Sequence, residues 1–127
     1  MINTLRIMLV DDSKTMRNIQ RTMLAQMGVE HIEEAVDGQD ALSKLGAFKP
    51  DLVLVDWNMP NCDGLEFVKQ ARARSYTSPI IMVTTESEKT KVVTAIRAGV
   101  NNYVVKPFTQ EVLSARISET LAKQKAA

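Results

Sequence analysis

The sequence predicts an α/β fold, a five-stranded parallel sheet with helices on both of its faces. Three observations carry this. Short apolar runs alternate five times with stretches of helical periodicity, the rhythm of strand–helix–strand units. The connections between them are short, which calls for right-handed crossovers. Four of the apolar runs end on acids, hydroxyls or a lysine, and in an open parallel sheet the carboxyl ends of strands share one edge.

The run Leu5–Val10 reads as a first buried strand, closed by Asp11 and Asp12. Ser13 is placed to cap a helix through Met27, with Met16, Ile19, Met23 and Met27 on its packed face and Gly28 as its left-handed stop. That methionine stripe reads as core. His31–Ala35 is shorter and half polar, which suits a sheet edge. Asp37 starts a second helix, ending near Gly46, whose apolar face is Ala41, Leu42 and Leu45. Leu52–Val55 is a continuous apolar run that fits a strand buried on both faces, and it stops on Asp56. Taken alone, Asp56 reads equally as a crevice acid and as a cap of the Asp-, Asn-, Pro- and Gly-rich turn that follows.

After Gly64 a third helix runs to about Ala73, packing Leu65, Phe67, Val68 and Ala71, until Ser78 and Pro79 break it. Ile80–Val83 is a fourth strand, ending in Thr84, Thr85 and Glu86. A helix from Glu88 to Ala98 stops at Gly99. Tyr103–Val105 is a short fifth strand ending in Lys106 and Pro107. Thr109 then caps a last helix carrying Val112, Leu113, Ile117 and Leu121, with Lys123–Ala127 expected to fray.

No linker, repeat or low-complexity tract divides residues 1–127, so a single domain is expected. Hydrophobic residues make up 45% and charged residues 24%, an ordinary globular balance, and no apolar run approaches the roughly 20 residues of a membrane span. The apolar start runs straight into Asp11 and Asp12, too short for an export signal, so a cytoplasmic location is expected. Sixteen basic against fifteen acidic residues leave a net charge of +1, no global field for nucleic acid or anionic lipid. Cys62, the only cysteine, cannot form an internal disulfide, and with His31 as the only histidine it is a poor basis for a zinc site. Both read as structural.

The alternation brings Asp11, Asp12, Asp56, Thr84 and Lys106 to one edge. Two carboxylates about 4 Å apart repel by roughly 4 kcal/mol at an effective dielectric near 20, so three call for a compensating cation. Hard oxygen ligands with open positions suit Mg²⁺. Lys106 can pair with a carboxylate at rest and with a phosphoryl oxygen in a transition state. An aspartate beside Mg²⁺ and a lysine can attack phosphorus to form an aspartyl phosphate, with Thr84 donating to the new group. Each acid alone reads as a turn or cap residue; their joint placement reads as a site.

The Asp11–Asp12 pair, Asp56 in DWNMPNCDG, Thr84 in VTTE, and Tyr103 with Lys106 in YVVKPF resemble the receiver domain of two-component response regulators, in its stand-alone chemotaxis form. The resemblance covers essentially the whole chain. It implies a flavodoxin-like (βα)5 three-layer sandwich of strand order 2-1-3-4-5. It implies that Asp56 is the phosphoacceptor, that Asp12, Asp56 and the Asn58 carbonyl bind Mg²⁺, and that Asp11 supports the ion through water. It further implies that Thr84 and Tyr103 move together, that Lys106 precedes a cis proline, and that Asn58 and Glu86 tune a short phosphoryl lifetime. Without the family, Tyr103 reads as a static half-buried aromatic.

Other classes fit less well. No G-x-x-x-x-G-K-[ST] or G-x-G-x-x-G follows any strand, which excludes P-loop and dinucleotide folds. A flavin module would need a hydroxyl- and glycine-rich phosphate loop where Asp11 and Asp12 stand. An aspartyl phosphatase would need a second acid where Asn58 stands. The expected function is therefore a phosphorylation-controlled switch that catalyses its own phosphoryl transfer and slow hydrolysis, not a conventional enzyme. The resemblance implies that the chain takes phosphate from a CheA-like histidine kinase and docks a flagellar switch protein through its fourth helix, fifth strand and fifth helix; a monomer with no output domain is expected. The alternative is a phosphorelay intermediate serving a histidine phosphotransfer protein.

Overall fold

The computed structural model describes residues 2–126. After a 3-10 turn at Ile2–Thr4 the elements are β1 (Arg6–Val10), α1 (Lys14–Gln26), β2 (His31–Ala35), α2 (Gly38–Phe48), β3 (Leu52–Val55), α3 (Gly64–Ala73), β4 (Ile80–Thr84), α4 (Lys89–Ala98), β5 (Asn102–Val105) and α5 (Gln110–Ala126). The strands form one sheet in the order β2-β1-β3-β4-β5, every neighbouring pair parallel. β2 is an edge strand, as its half-polar sequence predicts.

Alternation along the strands fills two cores. Met8, Val10, Val53, Val55, Ile80 and Met82 face α2, α3 and α4, where Phe67, Ala71 and Ala95 are buried. Ile7, Leu9, Leu52, Leu54, Ile81 and Val83 face α1 and α5, against Leu24, Leu113 and Ile117. A strand buried on both faces has no polar side to show. That is why β3 reads LVLV without alternation.

Four helices begin as their sequences predict. Ser13, Asp37 and Asp63 each accept a backbone N–H three residues on, from Met16, Asp40 and Glu66, and Thr109 accepts from Val112. Helix faces and ends were harder to place. Ile19 lies 40% exposed, and α1 buries Gln20 and Leu24 instead, with Met23 and Met27 only packing at the margin. α2 continues past Gly46 to Phe48, ending where Lys49 adopts φ 53. α3, by contrast, ends at Ala73 as its sequence predicts, with Ser75 at φ 67 in the turn beyond it. Val112 is 40% exposed, while Thr120 is buried on α5 in its place. α5 runs on through Ala126 where fraying was expected, and Ala127 lies outside the described residues.

Arg72, near the end of α3, ties three segments together. Its guanidinium donates to the carbonyls of Gly99, Tyr76 and Ser78 and to Asn101 Oδ1, at 2.6–3.1 Å. Asn101 Oδ1 also accepts from the Ile80 N–H. The α3–β4 turn and the α4–β5 turn are thus fixed by one side chain. Gly99 has φ 120, and a Cβ there would meet Arg72 Cγ at 2.9 Å, so glycine is required on both counts.

Candidate functional site at the carboxyl edge of the sheet

β1, β3, β4 and β5 deliver Asp11, Asp56, Thr84 and Lys106 to one end of the sheet, as the strand-end argument anticipates. The Lys106 ammonium lies 2.8 Å from Asp11 Oδ2 and 3.2 Å from Asp56 Oδ2, bridging the two acids. Burial alone would lower the ammonium's pKa, but the Asp11 hydrogen bond and the Asp56 and Asp11 charges outweigh it and raise the pKa above the ordinary lysine value. The lysine therefore stays charged. The Lys106–Pro107 peptide bond is cis.

Asp11 and Asp56 are held on all sides. Asp11 Oδ1 accepts from the Ser13 N–H, and Asp56 Oδ1 accepts from the Trp57 N–H. Asp12 differs: it is exposed, and among the described residues no hydrogen bond or ion pair engages its carboxylate. One carboxylate oxygen from each of Asp11, Asp12 and Asp56 lies within 4.8 Å of the others. Three acids against one lysine leave net negative charge, and an uncommitted carboxylate at the rim is a free oxygen donor. This donor set fits a hard divalent cation such as Mg²⁺.

That arrangement carries a cost in the metal-free chain. Asp12→Ala is expected to raise metal-free stability by about 1 kcal/mol, a repulsion discounted for the exposure of Asp12, and Tm by a few degrees. The same variant should weaken Mg²⁺ binding. Thermal melts in EDTA and a Mg²⁺ titration check both; a lower Tm would contradict the repulsive reading.

The loop after β3 shapes the floor. Gly64 packs so tightly that a Cβ there would sit 2.1 Å from the Asp56 carbonyl oxygen, and its N–H donates to the Trp57 carbonyl. Asp37 at the start of α2 accepts from Asn61, and the Gly38 N–H donates to the Cys62 carbonyl. Cys62 is buried in this contact, consistent with a structural role. His31 is exposed on the edge strand.

On the other side of the pocket Thr84 is fully buried, its hydroxyl accepting from the Glu86 N–H at 3.4 Å. Asn58 donates from Nδ2 to Glu86 Oε2 at 3.2 Å, bridging the loops after β3 and β4. The Tyr103 hydroxyl donates to the Glu86 carbonyl. Burial, with the nearby Glu86 and Asp56 charges, pushes the tyrosine's pKa up to about 12. Tyr103 is thus half-buried and tied to the loop that carries Glu86. The Lys91 ammonium sits 5.1 Å from the centroid of the Trp57 ring.

Sequence reasoning missed Arg17 and Arg72. Each is a basic residue on a helix, and nothing in helical periodicity tells a solvated cation from one that reaches a backbone carbonyl.

Fold and site together define an α/β domain with a parallel sheet in which acids and a lysine converge at the strand ends. Residues 7–118 match the family model described as the response regulator receiver domain, and the chain belongs to that family. It is 48% identical over 120 residues to chemotaxis protein CheY1 of Helicobacter pylori strain J99, covering 92% of this chain and 97% of the relative. A CheY homolog of Campylobacter jejuni is 47% identical, with 92% of each chain covered. Among solved structures, Vibrio cholerae chemotaxis protein CheY4 superposes with a TM-score of 0.86 at 35% identity, over 91% of this chain and 98% of that one. A CheY-like receiver domain protein of Methanospirillum hungatei gives 0.88 at 27% identity, over 96% and 97%.

Proposed function

We propose that the chain is the phosphorylation-controlled switch of a chemotaxis pathway. The observation that carries this is the Lys106 ammonium bridging Asp11 and Asp56, with Asp12 unengaged beside them. An Asp56 carboxylate oxygen attacks the phosphorus of a phosphohistidine on a CheA-like kinase, and the P–N bond breaks with its electron pair left on the imidazole. Lys106 offsets negative charge on the transferred group. Thr84 turns its hydroxyl from the Glu86 N–H to donate to a phosphoryl oxygen. Asp12, Asp56 and the Asn58 carbonyl would hold Mg²⁺, with Asp11 behind them, and the ion would supply charge neutralisation between the acids and the incoming phosphoryl group.

Thr84 and Tyr103 both touch Glu86, one at its N–H and one at its carbonyl, so displacing the loop at Thr84 alters the anchor of the Tyr103 ring. The change is read on α4, β5 and α5, where Val93, Ile96, Val105 and Val112 are exposed. A flagellar switch protein is the partner this reading assigns. The similarity to chemotaxis proteins in three bacteria supports it, and on this reading kinase and switch would meet in the cytoplasm.

The test is phosphorylation of the purified chain by acetyl phosphate, followed by intact mass. One phosphoryl adduct is expected with Mg²⁺ and none in EDTA; equal labelling in both would refute the metal-assisted site. A second expectation concerns lifetime. Asn58 and Glu86 close the approach that an attacking water needs, so Asn58→Arg or Glu86→Lys is expected to slow hydrolysis by about tenfold with the fold intact. Phosphoryl decay after donor removal measures it, and unchanged rates in both variants would remove these residues from the account.

A further inference from the structure

We propose that Arg17 is a positioning residue of the acid cluster, fixing the Asp11–Asp12 peptide and so the direction in which Asp12 offers its carboxylate to a divalent cation. The inference rests on the cation reading above. Its starting point is the contrast among the three acids. Asp11 and Asp56 each have both carboxylate oxygens engaged, by Ser13 and Lys106 in one case and by Trp57 and Lys106 in the other. Asp12 has neither engaged by any of the described residues. Its carboxylate can be placed only by its backbone.

That backbone is clamped from below by α1. Arg17 Nη1 donates to the Asp11 carbonyl at 2.7 Å, and this carbonyl belongs to the peptide plane from which Asp12 projects. Arg17 Nε donates at the same time to Glu34 Oε1 at 2.8 Å, on β2. The Arg17 side chain is only 12% exposed, so the fork is an internal brace. β2 supports the same loop again, since the Asp11 N–H donates to the Ala35 carbonyl. Arg21 also reaches Glu34, at 3.3 Å, but has no contact with the acid loop.

Only a guanidinium suits the position. Its planar fork serves a carbonyl and a carboxylate from two nitrogens in fixed relative directions, whereas a lysine offers one nitrogen on a shorter stem and sets no such fork. Groups that orient a metal ligand without touching the metal commonly contribute ten- to hundredfold in affinity.

The sign of the effect separates positioning from simple electrostatics. Removing a positive charge near a cation site should tighten cation binding through the field. Removing a brace should loosen it. Arg17→Gln is therefore expected to weaken Mg²⁺ binding about tenfold despite the lost charge, and Arg17→Lys to weaken it similarly although the charge is kept. Arg21→Gln, which loses a contact to Glu34 alone, should bind as wild type.

Mg²⁺ titration followed by Trp57 fluorescence, with isothermal calorimetry as an independent readout, measures these midpoints on chains shown by circular dichroism to be folded. Asp12→Ala is run beside them. If wild type shows no Mg²⁺ response, or Asp12→Ala titrates as wild type, the cation reading fails and the inference with it. If Asp12→Ala weakens binding while Arg17→Lys is unchanged, or Arg17→Gln tightens it, the inference alone is overturned.

Discussion

Asp56→Asn is expected to abolish phosphoryl uptake from acetyl phosphate, a loss on the order of a thousandfold or more in rate. The amide has the shape of the carboxylate but only one oxygen, so of the Trp57 N–H and the Lys106 ammonium, which bond Oδ1 and Oδ2 of Asp56, one keeps its acceptor and Lys106 retains Asp11 as a partner in either case. What it lacks is a nucleophile. The amide nitrogen's lone pair is delocalised and the oxygen no longer carries charge, so neither attacks phosphorus as a carboxylate does. Removing one of three neighbouring negative charges also means that the variant should fold at least as well as the parent, so loss of labelling cannot be put down to unfolding. Intact mass with peptide mapping is the measurement. The same adduct on the variant at the wild-type rate would show that Asp56 is not the acceptor, with mapping needed to tell Thr84 from other sites.

Lys106→Arg should separate acceptance from output. The ammonium is a compact charge that reaches Asp11 at 2.8 Å and Asp56 at 3.2 Å from one position. A guanidinium there keeps the charge but is longer, planar and directional, so it satisfies the resting acids in a different place. Phosphoryl acceptance should continue within about tenfold, because the charge near phosphorus survives. Coupling should not survive. On the proposed function, phosphorylation would bias the output face only through contacts that differ between the two states, and a Lys106–phosphoryl pair would be one of them. The gain in affinity for the flagellar switch protein on phosphorylation, of the order of ten- to a hundredfold in coupled systems, should fall to nearly nothing in the variant. Titrations of phosphorylated and unphosphorylated forms against that protein decide it. If phosphorylated Lys106→Arg binds as well as phosphorylated wild type, Lys106 is not part of the switch.

The strands and the acids at their ends were legible because burial leaves strong marks in sequence. Leu52–Val55 has no polar residue, so its end at Asp56 could be placed to the residue. The helix faces were less legible. On α1, Met16, Ile19 and Met23 form a plausible stripe, but the helix is rotated to bury Leu24 and Gln20 and leaves Ile19 in solvent. Periodicity says that a face exists; tertiary packing decides its angle. α2 passed its glycine because Leu45 stays buried near its end, and because a lysine took the left-handed turn.

The acids and Lys106 were visible as an unusual convergence of charges, whereas the arginines that hold backbone segments in place were not. Arg17 and Arg72 act on backbone carbonyls, which every residue possesses and no sequence distinguishes. The tie between Tyr103 and Glu86 was hidden for the same reason.

α4 differs from the other helices in how its two ends are secured. Arg72 holds the carbonyl of Gly99 just past its C-terminus, while Glu88 at its N-terminus makes no side-chain cap. Lys89 and Lys91 stand in its first turn, against the helix dipole, and Ala95 is its only buried residue. Such a helix unravels from one end. Backbone amides near Thr90 and Val92 should exchange with solvent through small local openings, while those near Ala98 should wait for larger ones. The looser end is the one beside Glu86 and Trp57, so on the proposed function the segment that responds to Asp56 would open most readily where the signal arrives, while Arg72 anchors it where it joins the sheet.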